Sequence, residues 1–410
     1  MRTKLGKKKN AIIIAVVMFG IISCFGDVIY EGARSANGQY FNLLAINATT
    51  IGILYGIGEF IGYALRLVSG KISDETGKHW PFIFIGYGLL IVVPLMGVTT
   101  SIPILFTLFL LERIGKALRS PAKDTILSQV AENKIGTGLI FGIQEALDQL
   151  GAFIGPLIFT IVFLFRGQED LESYQAGYKV LVFAFILVMI SVFIAYKKIS
   201  KYDLIKDGET INRENDKLTP IFWKYCCFSF LVTVGFVAYS IIGYHLKAKQ
   251  ILPDASITAL YSGAMIIDAI IAVIIGKVYD TIKKNTGNKE AGLLSLVFIP
   301  LFSAFVPFLT LSNNIALIVI GFILYGVILG AHETVMRSAI ADLTSFKKRG
   351  TAYGIFNAIY GLAFFVGSSF MGMLYDNVSV MAICIFTVIV EAVSLIIFVS
   401  MKKQITKQSI

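Results

Sequence analysis

Runs of roughly 20 apolar residues recur along the chain, each set off from the next by a short polar stretch. At about 1.5 Å of rise per residue, a helix of that length crosses a hydrocarbon core of about 30 Å. About twelve such helices fit, over residues 11–36, 44–69, 81–100, 103–127, 136–165, 176–196, 220–245, 256–282, 291–310, 314–341, 351–374 and 379–400. The pattern predicts an all-α integral membrane protein. Composition agrees: 56% of residues are hydrophobic and 15% charged, against about 25% charged in a soluble domain.

Charge adds an orientation, because loops rich in Lys and Arg stay on the cytoplasmic side. The loops on the side of the N-terminus hold Lys71, Lys78, Lys134, Lys197, Lys198, Lys283, Lys284, Lys347 and Arg349, whereas the others hold little beyond Arg166, Lys179, Lys247 and Lys249. An even number of spans puts both ends on one side, so both termini are expected in the cytoplasm and the protein in the cell membrane. The net charge of +10 follows from this distribution and calls for no nucleic-acid partner. Cys24, Cys226, Cys227 and Cys384 fall inside spans without metal-ligand or disulfide spacing. The sequence has neither a Walker loop nor a His-Glu-x-x-His segment. No metal, cofactor or enzymatic activity is therefore expected.

The longest polar stretch, residues 197–219, mixes both signs of charge and reads as a linker. It separates an N-terminal bundle of six spans (1–196) from a C-terminal bundle of six (220–410). Punctuation recurs across it. Gly70-Lys-Ile-Ser-Asp74 returns as Gly276-Lys-Val-Tyr-Asp280, Arg119-Ser-Pro-Ala-Lys-Asp124 as Arg337-Ser-Ala-Ile-Ala-Asp342, and Gly142, Ala146 and Gly155 as Gly354, Ala358 and Gly367. All three offsets are close to half the chain. Six spans per copy, an even number, predicts a parallel pseudo-repeat about an axis along the membrane normal.

These residues resemble the major facilitator superfamily over essentially the whole chain. GKISDETGKHW (70–80) is similar to its loop 2–3 signature, with Gly70, Asp74, Gly77 and Lys78 in register and Glu75 where the family commonly has Arg. The resemblance implies a gating role for this loop, with Asp74 meeting the end of helix 11 near Thr351 and Arg119 of helix 4. GIQEALDQLGAFIGP (142–156) resembles the helix 5 signature associated with antiporters of the superfamily through Gly142, Gly151, Gly155 and Pro156, although Phe159 and Thr160 replace its final glycine pair. Glycines so spaced equally serve close helix packing. ERIGKALRSPAKD (112–124) fits the helix 4 motif in part, with Arg113 in place and Gly115 early. The resemblance further implies that helices 1, 4, 7 and 10 line a cavity, helices 2, 5, 8 and 11 wall it, and the others lie outside.

Charges within the spans mark candidate chemistry, since each costs about 2.5–3.5 kcal/mol at the bilayer centre unless paired or solvated. Asp27, Glu31 and Arg34 fall within about 60° of one another on a helical wheel, one narrow polar stripe on helix 1. By distance from the predicted ends, Glu59, Glu112, Arg113, Glu145, Asp148 and Asp268 lie near the midplane. Asp27 lies somewhat outside the middle, and Glu31 and Arg34 toward the external surface. His332 and Glu333 add polar groups to helix 10, and Glu391 is the exception on an outer helix. Simple pairing within a helix would join Glu31 to Arg34, Glu59 to Arg66 and Glu333 to Arg337. Asp27, Glu112, Glu145 and Asp148 lack an evident partner of this kind and are the candidates for protonation, with Arg113 tuning them.

The expectation is a secondary active transporter, a proton-coupled exporter of a small organic compound that works as a monomer by alternating access. Its partners would be that substrate, protons and the bilayer. Uptake of an organic anion, neutralised by Arg34, Arg113, Lys116 and Arg119, is the alternative within transport; a non-transporting membrane sensor is the alternative outside it.

Overall fold

The computed structural model describes the backbone of residues 2–131, 137–167, 170–200, 218–344 and 349–407. Side chains are described within these ranges except at 2–14, 128–131, 137–143, 145, 200, 289, 336, 337, 341, 349, 350, 406 and 407. Among the described residues the chain forms helices and no strand.

The first helix, α1 (Arg2–Leu43), runs unbroken through the charged stripe, and its apolar span covers Ala15–Leu43. The helix continues past the expected span end at residue 36, so Glu31 lies about 18 Å and Arg34 about 14 Å from its C-terminus at Leu43. The polar residues that seemed to close the span are buried inside the protein. Ser35 donates to Gly32 O at 2.7 Å, and Asn37, 3% exposed, accepts from the Tyr178 hydroxyl. α2 (Ala48–Thr76) ends at Gly77, whose φ of 64° is the left-handed conformation that glycine adopts without a Cβ penalty. That is the local work of this glycine in the loop signature.

The third span is in pieces, α3 (His79–Gly88), a 3-10 turn at Leu89–Ile91 and α4 (Val92–Met96). Pro94 has no N–H to give Leu90 O, which loosens the α-helical ladder there. Next come α5 (Ile102–Ala131), α6 (Thr137–Arg166) and α7 (Leu171–Ser200). Among the described residues, eleven spans are long and apolar enough to cross a membrane; α5 is long enough, at about 45 Å, but carries too many charges to count among them. Asp170 starts α7 by accepting from Ser173 N at 2.9 Å and Ser173 Oγ at 2.7 Å, bonds that hold its carboxyl below the usual range.

After the linker, the seventh span splits into α8 (Pro220–Gly235) and α9 (Tyr239–Ala248), with extended backbone at Phe236 and Ala238. α10 (Asp254–Thr286) follows. The ninth span is a 3-10 stretch (Lys289–Val297), α11 (Phe298–Ser303) and α12 (Val306–Thr310), interrupted where Pro300 and Pro307 fall. α13 (Ile315–Leu343), α14 (Arg349–Asn377) and α15 (Val380–Lys407) complete the chain.

Contacts group Met1–Tyr40 with Ile61–Thr210 as one unit, and Phe41–Phe60 with Ile211–Ile410 as the other. The N-terminal half of α2 belongs with the second, where Asp376 of α14 caps it, accepting from Thr49 N at 2.6 Å and Thr49 Oγ1 at 2.7 Å. Aromatic rings fill each interior. Tyr178 packs on Tyr40 at 5.2 Å and on Phe159 at 5.1 Å in the first unit, and Tyr239 on Tyr261 at 4.0 Å in the second. The exposed surface is apolar instead, with Phe165 at 89%, Phe183 at 67% and Ile396 at 69% exposure, as lipid-facing helices require.

The repeat is visible within each unit. A Cβ on Gly155 of α6 would lie 2.6 Å from Gly32 N of α1, and one on Gly367 of α14 would lie 2.6 Å from Val234 O of α8. The same close contact thus joins equivalent helix pairs. Replacing Gly155 with Val is expected to lower stability by about 1–3 kcal/mol, the usual cost of overpacking, read as a drop in the unfolding midpoint in detergent. Gly263→Ala, where nothing lies within 4 Å, should leave the midpoint unchanged.

Candidate functional site

Two polar clusters form where α1, α5 and α6 meet inside the first unit. In one, Arg113 is 2% exposed and Glu112 5% exposed, with Arg113 Nε 3.4 Å from Glu112 Oε2. The guanidinium also donates to Tyr30 OH, and lies over the Tyr30 ring at 4.6 Å and the Phe109 ring at 4.9 Å. Lys116 Nζ sits 3.4 Å from the centre of the Tyr30 ring. Arg34 donates to Glu31 at 3.3 Å, so the pair expected within helix 1 forms. A small void opens beside these groups, lined among others by Tyr30, Arg34, Asn37, Glu112 and Arg113.

In the other cluster, Lys123 Nζ donates to Ser23 Oγ at 2.5 Å and lies 3.9 Å from Asp148 Oδ2. Gln144 bridges Asp148 Oδ1 at 3.0 Å and Phe19 O at 3.3 Å, tying α6 to α1. Asp27 stands one turn from Ser23, with Asp148, Lys116, Glu31 and Lys123 as its charged neighbours. Among the described residues it makes no hydrogen bond and no ion pair.

Several expectations change. Glu112 and Asp148 both have ion partners: Arg113, next to it on α5, serves Glu112, and Lys123 reaches from α5 to Asp148 on α6. Arg66 stacks over Tyr63 at 4.6 Å. Arg119 donates to Gly86 O at 3.2 Å and covers the Tyr87 ring at 5.1 Å, while Asp74 accepts from Thr125 Oγ1 at 3.2 Å, so the Asp74–Arg119 contact does not form. The side chains of Glu145 and Arg337 lie outside the described residues, and Gly142 falls within α6. Gly151 and Gly155 press on the backbone of Cys24 and Gly32, and Pro156 lies within α6, where Thr160 donates to its carbonyl at 3.2 Å.

In the second unit, Asp268 of α10 is 3% exposed beside Gly330 of α13, and Glu333 is exposed. His332 is 5% exposed, and its Nδ1 lies 2.9 Å from Tyr360 OH. Tyr30, Lys123, Tyr87 and Tyr360 were not among the expected site residues. Lys123 was the accessible one, since it shares the helix 4 face of Glu112 and Lys116.

A helical membrane chain with charges gathered on its first, fourth and fifth spans narrows the family, and one match decides it: the family model described as Major Facilitator Superfamily covers residues 11–331 and 225–408. The chain belongs to the major facilitator superfamily. An uncharacterized protein of Mycobacterium tuberculosis is 30% identical over 393 residues, covering 94% of this chain and 92% of that one. An uncharacterized MFS-type transporter of Methanocaldococcus jannaschii is 26% identical over 375 residues, 88% of each chain. Among solved structures, this facilitator is similar to the nucleoside transporter NupG, with a TM-score of 0.66 at 14% identity, covering 95% of this chain and 98% of that one. It is similar also to a POT family transporter in complex with thioalcohol conjugated peptide, with a TM-score of 0.74 at 12% identity, covering 95% and 96%. These two likenesses are of fold. The facilitator is a multi-pass membrane protein of a transporter family, which is not an enzyme family, and secondary transport of a small molecule is its general activity.

Proposed function

We propose that this facilitator is a proton-coupled exporter of a small organic compound, resident in the cell membrane with both termini cytoplasmic and active as a monomer. The observation that carries the reading is Asp27: a carboxyl in the middle of a membrane span, without hydrogen bond or ion pair among the described residues, one turn from Ser23 and hence close to the Lys123–Asp148 pair. A carboxyl so placed can exchange a proton without dismantling a salt bridge. Lys123, shared between Ser23 and Asp148, is able to follow the charge as it appears on one acid or the other. The cavity beside Tyr30, Arg34, Glu112 and Arg113 supplies hydrogen-bonding groups and an aromatic face for substrate.

Purified protein in liposomes, offered a panel of cationic, neutral and anionic compounds, should drive at least one against its gradient when protons are supplied from the opposite side. Flux that ignores the pH gradient for every transported compound would reject the coupling. The two guanidinium groups in the cavity wall favour a second reading, uptake of an organic anion together with protons; there, transport would run in the same direction as the protons.

A further inference from the structure

Glu391 of α15 takes no part in either cluster, yet it is a carboxyl only 1% exposed. Its Oε1 has no hydrogen-bond partner, and among the described residues no ion pair reaches it. Its polar neighbours are two hydroxyls, Ser394 and Ser303 of α11; Ser394 Oγ lies 3.2 Å from Oε2. Ser394 also lies 2.8 Å from Glu391 O, and its one proton goes to the nearer acceptor. Thr387, one turn earlier, gives its proton to Gly235 O at 3.1 Å.

Among the described residues, no charged or titratable side chain from α8, α11, α12, α14 or the 3-10 stretch acts on the carboxyl. The lysine of α8, Lys224, bonds Ser400 Oγ at 3.0 Å, about 13 Å further along α15. What α8 does bring is backbone: a Cβ on Gly235 would sit 2.9 Å from Oε1. The carboxyl therefore abuts the point where α8 ends and the chain becomes extended.

A carboxylate stripped of water with no fixed cation opposite it is too costly to persist, so a positive partner must share it. We propose that Glu391 is an intramembrane site for a monovalent cation, a proton or sodium, set against the break between α8 and α9 and separate from Asp27. With a proton, the O–H of Oε2 donates to Ser394 Oγ while Ser394 keeps its own bond to Glu391 O. With sodium, the carboxylate and the hydroxyls of Ser303 and Ser394 supply the oxygen ligands that a hard cation takes. Its occupancy would fix or release the carboxyl's contact with Gly235, and so the geometry of the helix break.

The test needs no substrate. Infrared spectra of the full chain in lipid nanodiscs are recorded in choline chloride and in sodium chloride, for the wild type and for Glu391→Gln. A protonated-carboxyl band present in choline and absent from Glu391→Gln is the expected result. If sodium abolishes that band, sodium is the competing cation; if sodium leaves it unchanged, the site takes protons alone. Should Glu391→Gln not fold, Ser394→Ala, which removes one hydroxyl, must shift the same band. A wild type whose difference spectrum holds only ionised carboxylate in choline, with no response to sodium or to Ser394→Ala, overturns the proposal.

Discussion

Replacing Arg113 with Met is expected to destabilise the protein by about 3–5 kcal/mol, the cost of stranding one member of a buried ion pair. The guanidinium is Glu112's ion partner at 3.4 Å, the donor to Tyr30, and the plate lying over the rings of Tyr30 and Phe109. Without it, a carboxylate only 5% exposed loses its ion partner at 3.4 Å. Arg113→Lys should rescue little, because a point charge cannot cover two rings and reach both partners at once. Adding Glu112→Gln to Arg113→Met removes the stranded charge and should restore most of the loss. Denaturant or thermal unfolding in detergent reads all of these variants; equal stability of the single and double variants would show that the pair is not what holds this region.

Lys123→Met is expected to act on transport more than on stability. Asp148 keeps its bond from Gln144 at 3.0 Å, so the fold loses one long ion pair at 3.9 Å and one bond to Ser23. What disappears is the cation that stands between the acids of α1 and α6. Flux driven by a pH gradient should fall at least about tenfold, or about 1.4 kcal/mol in the coupled step, while the unfolding midpoint moves little. Normal gradient-driven flux in this variant would remove Lys123 from the mechanism.

Much of the fold was legible because apolar runs of membrane length have few alternative uses, and prolines such as Pro94, Pro300 and Pro307 mark where helices loosen. The break at Phe236 was not legible, since no proline marks it and the carbonyl it frees at Gly235 is satisfied by Thr387, 152 positions away. The end of α1 was misplaced for a related reason: Ser35 and Asn37 look like the edge of a span until Gly32 O and Tyr178 are seen to bind them. The charged stripe on α1 emerged directly from helical spacing. The surroundings of the charged groups did not, because the bonds that place the cations, Arg113 to Tyr30 and Lys123 to Ser23, join residues 83 and 100 positions apart. Helical wheels order the groups of one helix, and contacts such as Lys123 to Asp148 are settled between helices.

The central claim is that Asp27 carries the exchanged proton. Asp27→Asn in proteoliposomes tests it most directly, by comparing flux driven by a pH gradient with the exchange of labelled for unlabelled compound at equal pH on both sides. The account predicts that gradient-driven flux is lost while exchange continues, because the amide still fits the helix but no longer takes up a proton. Gradient-driven flux that persists in Asp27→Asn at the wild-type rate would contradict it.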